Sequence, residues 1–532
     1  MNGKTLILGN GSDARDMAVQ LLKMDRELIV AASEDAGNLA LLDDLDRAEG
    51  GKVEILPITG CSYCYGTAGA FRLMFSTRDR TAGLTVSTII LADDAVREPN
   101  YILYHLKASP GVVSLSGMDD LFEFSSASAS GAPSVRKIAF ISGLASESHP
   151  VITEEVMRRA LRLQRSSNRQ TYIYTGNLKV AGNGLEALYR ETKKAGTIYI
   201  KMTESMPEFQ QTADDRVTIT YEDEITREAF KLIPDLVVVD ETISPSKFTM
   251  DLSQTLGIDS GPDRFAQSDN VHRNVVGTNR KGIFVSGFAR GVQADWGRST
   301  DAGNAALSVI KCFRKEETTH LGKADIDNGR CVRCLTCFRI CPYAAITLNT
   351  KVAVDIHSCE GCGICAAECP AHAITLVTPD NGSVAQRIPG GGRIPASGAF
   401  SPSIIAFCCA RSAVGAGELA TRMGRRLPEG LNVIEVPCAG SVSVEHLLAA
   451  FSRGADGVLV LTCHADNCHS EKGNLYARQR VSEVGGLMTH IGLEPERLAC
   501  NTLASNMGAE FAEVVSVFEK RLCGLGPSRL KR

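Results

Sequence analysis

The sequence is poor in aromatic residues, which make up 6% of the chain with Trp296 as the single tryptophan, so no aromatic pattern points to a ligand. It has no excess of positive charge: the formal net charge is −4, which leaves no basic patch and excludes nucleic acid as a partner. No apolar run reaches the length of a membrane span, and one of the longest, Gly457-Val-Leu-Val-Leu-Thr462, is strand-sized. The opening residues, Met1 to Gly9, carry no signal-peptide apolar region and enter a strand at once. No acid, base or nucleophile stands in a catalytic arrangement, so no catalytic residue is assigned and the chain is not expected to act as an enzyme alone. These absences point to a cytoplasmic protein that reaches a membrane only through a partner subunit. What remains is 532 residues with 44% apolar and 22% charged side chains, an ordinary globular composition long enough for three or four domains.

Cysteine is the exception. There are eighteen, and eight of them fall between residues 331 and 369 in two matching runs. The first is Cys331-Val-Arg-Cys334-Leu-Thr-Cys337-Phe-Arg-Ile-Cys341-Pro342, and the second is Cys359-Glu-Gly-Cys362-Gly-Ile-Cys365-Ala-Ala-Glu-Cys369-Pro370. Each is C-x2-C-x2-C-x3-C-P, in which three close thiolates wrap one iron–sulfur cube and the fourth reaches the other cube. The spacing therefore predicts one [4Fe-4S] cluster on Cys331, Cys334, Cys337 and Cys369, and a second on Cys359, Cys362, Cys365 and Cys341. Zinc favours paired cysteines separated by a longer loop, and disulfides do not suit a chain so rich in clustered thiols. A reducing, anaerobic interior is the expected setting.

Upstream, strand 4–8 leads into Gly9-Asn-Gly11-Ser-Asp-Ala14, a G-x-G-x-x-A turn, then an apolar-periodic helix, and a strand from Leu28 that ends near Glu34. This is the context of a dinucleotide turn: glycine admits the pyrophosphate, the helix N-terminus receives its charge, and Glu34 accepts from a ribose hydroxyl. Asp13 sets a negative charge where phosphate would lie. Residues 52–57 and 84–92 read as further strands, and between them lies a lone C-x-x-C, Cys61 and Cys64, either redox-active or an ordinary pair of thiols. The stretch 125–134 is a linker by composition. A second α/β unit starts at Val135, with strands at 137–141, 170–174, 197–201, 217–221 and 235–240 and helices at 153–165 and 184–194. No glycine fingerprint follows its first strand at Ser142-Gly143, which argues against a pyridine-nucleotide site. Residues 281–287 form another strand, ending at Gly287, and 297–312 an alanine-rich helix.

Beyond a glycine- and proline-marked connection, the last unit delivers cysteine after each strand: Cys408-Cys409 after 404–407, Cys438 after 431–436, and Cys463 and Cys468 after 457–461. Open α/β sheets place ligands at the C-terminal ends of their strands. Cys409, Cys438, Cys463 and Cys468 are therefore the candidate ligands of a [2Fe-2S] cluster, with Cys408 as substitute and zinc as the competing metal. His464 and His469 are more suited to supporting contacts, and Cys312, Cys500 and Cys523 belong to no constellation.

These pieces, in this order, resemble the A subunit of heterodisulfide reductase fused to the delta subunit of methyl-viologen-reducing hydrogenase, a fusion similar to the B subunit of the quinone-interacting membrane-bound oxidoreductase. The resemblance is carried in front by Gly9 to Ala14, Gly66 to Phe71, Asn177 to Arg190 and Gly282 to Gly291. In the last domain it is carried by Phe407-Cys-Cys409, Cys438-Ala-Gly440, Gly454 to Val460, Cys463 to His469 and Glu496-Arg-Leu498. Asn10 and Ser12-Asp13 depart from the family's glycine-rich turn, and Ser412 stands where the family repeats a cysteine. The resemblance implies an α/β multidomain protein with a two-dinucleotide-domain flavoprotein-like fold, an inserted two-cluster ferredoxin module and a C-terminal α/β iron–sulfur domain. The expected divisions are 1–134, the first part of an FAD-type domain; 135–265, the second α/β unit; 266–315, the return that completes the first; 322–378, the ferredoxin module; 379–402, a linker; and 403–525, the hydrogenase-like domain. It implies FAD on Gly9, Gly11, Ala14, Glu34 and Gly287, and partners that are other subunits of a redox complex, disulfide-reducing, hydrogenase-like or quinone-reactive. Three functions follow as candidates. The first is an electron-transfer subunit linking flavin, cubes and [2Fe-2S] centre. The second is a docking scaffold whose flavin fold is empty, favoured by the altered turn. The third is a flavoenzyme oxidising a pyridine nucleotide, disfavoured by the missing fingerprint at Gly143.

Overall fold

The computed structural model describes residues 3–34, 42, 47, 52–118, 135–166, 169–266, 270, 273–313, 322–348, 350–377, 384–389 and 400–531. The expected linker 125–134, and most of 379–402, lie outside the described residues.

The first sheet is parallel, with strands in the order Ile283–Val285, Thr88–Leu91, Thr5–Leu8, Leu28–Ser33, Val53–Ile58. Its central strands are buried on both faces, which is why they read as unbroken apolar runs rather than as alternation. Helix Gly11–Leu22 packs Ala14, Met17, Ala18 and Leu21 on one face beside Ala302, Ala305, Ala306 and Val309 of helix Asp295–Phe313. The other face is covered by helix Lys247–Leu256 and by an antiparallel sheet of Gly60–Tyr65, Phe71–Ser76 and Thr81–Val86. The run 84–92, expected as one strand, is divided at Ser87 between these two sheets. The Ser87 N–H donates to the Lys4 carbonyl and the Thr88 hydroxyl pairs with Thr5, which pulls the second half of the run into the parallel sheet.

The second sheet is also parallel, in the order Ile198–Lys201, Gln170–Thr175, Lys137–Ser142, Leu236–Val239, Val112–Ser114. Its last strand comes from upstream of residue 134, so the second unit draws on residues that the sequence reading assigned to the first. Val96–Pro99 and Glu241–Ser244 pair antiparallel between the two units, and Arg97 ties them by forking to Glu155 and Glu241, each at 2.7 Å.

The ferredoxin module is pseudo-symmetric. Ala324–Ile326 pairs with Ile374–Leu376, Ile346–Leu348 pairs with Val352–Val354, and the short helices Thr336–Ile340 and Ile364–Ala367 occupy matching places. The last domain is a four-stranded parallel sheet in the order Leu431–Val436, Ile404–Cys409, Gly457–Thr462, Leu498–Thr502. Helices Gly473–His490 and Gly508–Leu525 cover its opposite faces, through Ala477, Val484 and Met488 on one side and Phe511, Val515, Phe518 and Leu522 on the other. Arg497 of the Glu-Arg-Leu motif is fully buried, with its guanidinium donating to the Asp456 carbonyl and paired with Glu494 at 2.8 Å, a structural tie. Among the described residues no helix is long and apolar enough to cross a membrane.

Candidate metal centres

The two cysteine runs curl at equivalent points. Arg333 and Leu335 in the first run, and Gly361 and Gly363 in the second, lie two and four residues after the leading cysteine, and all four have positive φ. Ala344 and His372, three residues after Cys341 and Cys369, repeat the pattern. These left-handed turns fold each loop around its own centre. One cavity is lined by Cys341, Cys359, Cys362 and Cys365; the other is lined by Cys331, Cys334, Cys337 and Cys369. The structure thus gathers the eight thiols into the two sets of four that the spacing predicts. The Ala345 N–H donates to Cys341 Sγ at 3.4 Å and the Ala373 N–H to Cys369 Sγ at 3.3 Å, matched donors that favour sulfur carrying negative charge. Burial pushes the Cys365 thiol up to about 12 and raises Cys337, Cys341 and Cys362 as well, an effect that a cationic centre among them would offset. Four sulfurs in an apolar shell fit an iron–sulfur cube. The sites differ in access: Cys334 is exposed, and Val332 and Phe338 beside it are also solvent-facing, whereas Cys359 and Cys365 are buried.

In the last domain the strand order places the topological switch point between Ile404–Cys409 and Gly457–Thr462, where crossovers leave in opposite directions and a crevice opens. Cys409 and Cys463 face each other there, with Sγ atoms 3.7 Å apart. Cys438 leads the turn Ala439–Ser441 after the neighbouring strand and is hydrogen-bonded to Cys468, which also contacts Cys463. All four are at most 3% exposed. Mutual hydrogen bonds hold Cys438 and Cys463 below the usual thiol range and Cys409 and Cys468 above it, so the set shares charge that a metal centre would neutralise. The chemistry of this donor set fits a small iron–sulfur cluster. Gly473 is required beside it, since a Cβ there would lie 2.3 Å from Cys438 Sγ. The Asn474 side chain donates to the His464 carbonyl at 2.7 Å and helps hold the loop closed. Neither residue was singled out from the sequence; their position just after Cys468-His469-Ser470 was the available signal. The Ser412 hydroxyl lies beside Cys463 rather than providing a fifth thiol.

Cys408 does not reach this site. Neighbouring residues on a strand point to opposite faces, and Cys408 is buried in the core formed with helix Gly508–Leu525, while Cys409 belongs to the core on the other side. Cys408→Ala is expected to leave the iron content unchanged at a stability cost of about 1 kcal/mol, checked by metal analysis and denaturant unfolding. His464 is likewise engaged elsewhere, its ring nitrogens on Thr502 at 2.9 Å and Met507 at 3.2 Å.

The ferredoxin module and the last domain meet at their cysteine sites. A Cβ on Gly363 would lie 2.7 Å from the Ser441 side chain, and one on Gly440 would lie 2.9 Å from Ile364. Both positions stay bare so that the loop after Cys362 can press against the turn after Cys438. Cys362 itself packs on the core that holds Cys409, Cys438, Cys463 and Cys468. Arg480 clamps this contact: it is buried, donates to the carbonyls of Gly440 and Val442 at 2.8 Å each, and pairs with Glu368 of the ferredoxin module at 2.6 Å.

The dinucleotide turn presents a different picture. Gly9, Gly11, Ala14 and Gly287 do come together, but their lack of bulk serves internal packing. A Cβ on Gly9 would strike the Ala92 carbonyl, and one on Gly287 would lie 2.2 Å from Asp13 Oδ2. The donors of the turn are taken by the chain's own carboxylates. Ser12 N–H and Asp13 N–H donate to Asp94 at 3.0 and 3.1 Å, and Asn10 N–H donates to Asp93 at 2.8 Å. Asp13, raised to about 6 chiefly by burial, accepts from the Phe288 N–H at 2.6 Å and from Arg298 at 2.7 Å. Glu34 is held by Arg78 at 2.8 Å. Asp94 thus sits where a helix N-terminus would receive a pyrophosphate, and the turn does not fit a further doubly charged group. The acidic pair at the end of a parallel strand adjoining the glycine turn was the signal in the sequence. Asp94→Ala is expected to leave two N–H groups unpaired and to lower stability by about 1–3 kcal/mol, read from denaturant unfolding.

Residues 323–375 match the family described as a 4Fe-4S dicluster domain, and residues 404–526 match the methyl-viologen-reducing hydrogenase delta subunit. The chain is 30% identical over 362 residues to the A subunit of ferredoxin:CoB-CoM heterodisulfide reductase from Methanosarcina mazei, an alignment covering 67% of this chain and 45% of that one. The chain is a homologue of the heterodisulfide reductase A subunit and ends in a domain of the hydrogenase delta-subunit family. The last part is 34% identical over 133 residues to the iron-sulfur D subunit of F420-non-reducing hydrogenase from Archaeoglobus profundus, covering 25% of this chain and 97% of the relative. Among solved structures, thioredoxin reductase of Lactococcus lactis aligns with 58% of this chain and 98% of its own, at 16% identity and a TM-score of 0.39. The chain spans less than half the length of the heterodisulfide reductase subunits that it matches, 45% and 46% for two from Methanosarcina. Much of the chain is therefore similar to these subunits, and it carries a ferredoxin-type 4Fe-4S dicluster domain.

Proposed function

We propose that this chain is an iron–sulfur electron-transfer subunit of an anaerobic heterodisulfide-reductase-like complex, cytoplasmic or membrane-associated through a partner. Cys331, Cys334, Cys337 and Cys369 hold one [4Fe-4S] cluster, and Cys341, Cys359, Cys362 and Cys365 hold the second. Cys409, Cys438, Cys463 and Cys468 hold a [2Fe-2S] cluster. The observation that carries this reading is the direct contact of the inner ferredoxin loop with the Cys438 turn, through Gly363, Ser441, Gly440 and Ile364. Bound in these sites, the clusters supply one-electron chemistry at potentials set by burial and by hydrogen bonds to sulfur. The chain's own residues supply those terms: the N–H groups of Ala345, Ala373 and Gly440 donate to cysteine sulfur, and Arg480 fixes the spacing of the two domains. The exposed edge at Val332, Cys334 and Phe338 suits contact with another subunit of a hetero-oligomer.

For the front half, the capping of the turn by Asp94 favours a docking role with a closed flavin turn over an FAD-bearing one. Anaerobic purification with iron, acid-labile sulfide and flavin quantitation tests both statements. About ten irons per chain and no flavin is the expected result. Eight irons with zinc would overturn the reading of the last domain, and stoichiometric FAD would overturn that of the turn.

A further inference from the structure

Cys61 and Cys64 take no part in the three sites above. Three residues apart on one strand, they would ordinarily point to opposite faces. A bulge cancels this. Pairing runs from Cys61↔Phe75 to Tyr63↔Met74 and Cys64↔Leu73, leaving Ser62 as the extra residue. Leu73 and Phe75 are two apart on the partner strand and both are buried in the core, so the two cysteines share that inner face as neighbours. Tyr63 and Tyr65 point outward and are exposed. The half-buried thiols pack on the core beneath helix Lys247–Leu256, whose Thr255 hydroxyl donates to the Cys61 carbonyl at 3.2 Å.

Arg280 stands beside the pair. It is 7% exposed, donates to the carbonyls of Leu256 at 2.6 Å and Gly66 at 2.9 Å, and reaches Cys64 Sγ at 4.0 Å. Among the described residues its partners are these neutral carbonyls, the Cys64 sulfur and the Phe71 ring. A buried guanidinium is costly without a counter-charge, and negative charge arising on the cysteine pair would provide one. The segments that build this corner also dock on the ferredoxin module. The Thr67 hydroxyl donates to Asp355 at 3.1 Å, and the Asn279 amide donates to the Pro342 carbonyl at 3.0 Å. Pro342 follows Cys341, and the Asp355 carbonyl accepts the Cys359 N–H at 2.9 Å. Cys341 and Cys359 line the same cavity.

We propose that Cys61 and Cys64 are a redox-active dithiol–disulfide pair that exchanges two electrons with the inner ferredoxin site. This rests on the reading that Cys341, Cys359, Cys362 and Cys365 hold a one-electron iron–sulfur donor. In the reductive direction, one electron from that donor enters the Cys61–Cys64 S–S bond, and the resulting radical anion is balanced by Arg280. A second electron and two protons from solvent complete the cleavage to two thiols; the reverse returns two electrons and two protons. Desolvation raises both thiols, Cys61 to about 12, so the reduced pair carries its protons at neutral pH.

The test uses the full-length chain purified anaerobically with its iron. Samples are poised with glutathione disulfide or dithionite, acid-quenched, alkylated and mapped by peptide mass spectrometry. The expected result is a Cys61–Cys64 peptide that is unlabelled and lighter by two hydrogen atoms when oxidised, and doubly labelled when reduced. Reductive titration of Cys64→Ser should consume two fewer electrons than the parent at equal iron content. Free alkylation of both thiols after oxidation, or equal electron uptake by the variant and the parent, would overturn the proposal. Iron content reports separately on the reading of the cavity, because the mass readout needs no metal.

Discussion

Cys463→Ser is expected to lower the iron content from about ten to about eight per chain while both ferredoxin sites stay loaded. Cys463 is the centre of the last constellation: its sulfur faces Cys409 at 3.7 Å and is contacted by Cys468, Ser412 and the His469 N–H. A serine there offers a harder and shorter ligand that iron–sulfur clusters accept poorly, and its burial at the switch point leaves no room for a replacement. Cys408 cannot substitute, because it lies across the strand in the other core. Metal analysis and the low-temperature electron paramagnetic resonance spectrum of the dithionite-reduced protein check this. The signal of the small cluster should vanish while those of the cubes persist. Iron unchanged at ten would show that the four cysteines are not the ligands. Loss of all iron would show that the last domain and the ferredoxin module do not load independently.

Arg480→Met is expected to destabilise the contact between the ferredoxin module and the last domain by about 2–4 kcal/mol, since it strips a buried cation from two backbone carbonyls and from the partly exposed Glu368 carboxylate. The Arg480 side chain is 4% exposed, and with it go two hydrogen bonds to Glu368 and one each to the Gly440 and Val442 carbonyls. The methionine has similar length and keeps the packing, so the loss reports on charge and hydrogen bonding. Two consequences are measurable. Denaturant unfolding should show the last domain melting separately and earlier, and limited proteolysis should cut faster within 379–402. Adding Glu368→Met should recover part of the loss, because no half-buried carboxylate is then left without its cation. A single cooperative transition at the parent's midpoint would show that Arg480 does not bind the two domains together.

Where the residues of a site lie close along the chain, its legibility was high. Each ferredoxin run folds over a few residues through left-handed turns, so spacing alone dictates which three thiols converge and which one crosses. The last site was also readable, because a parallel sheet sends all its strand ends to one edge, and cysteine follows three of those strands. The preference for Cys409 over Cys408 agrees with the structure but had no support in the strand's own pattern. Both faces of their strand are buried, so no polar alternation marks which side holds the ligands.

The dinucleotide turn shows the opposite case. Its glycines met the local requirements of the fingerprint, yet Asp93 and Asp94, some eighty positions away, occupy its donors. The parallel pairing of Thr5–Leu8 with Thr88–Leu91 is what brings them there.

By itself, then, the sequence determined how the eight ferredoxin cysteines divide into two sets of four, the alternation of strands and helices, and the thiol-rich strand ends, because each depends on spacing within one or two elements. Only the tertiary structure decided that Asp93 and Asp94 cap the donors of the glycine turn, that Ser62 brings Cys61 and Cys64 to one face, and that Cys362 packs against the core of the last site. Those outcomes depend on strand register and domain docking, which are set by contacts between residues far apart in the chain and leave no periodic trace in either partner.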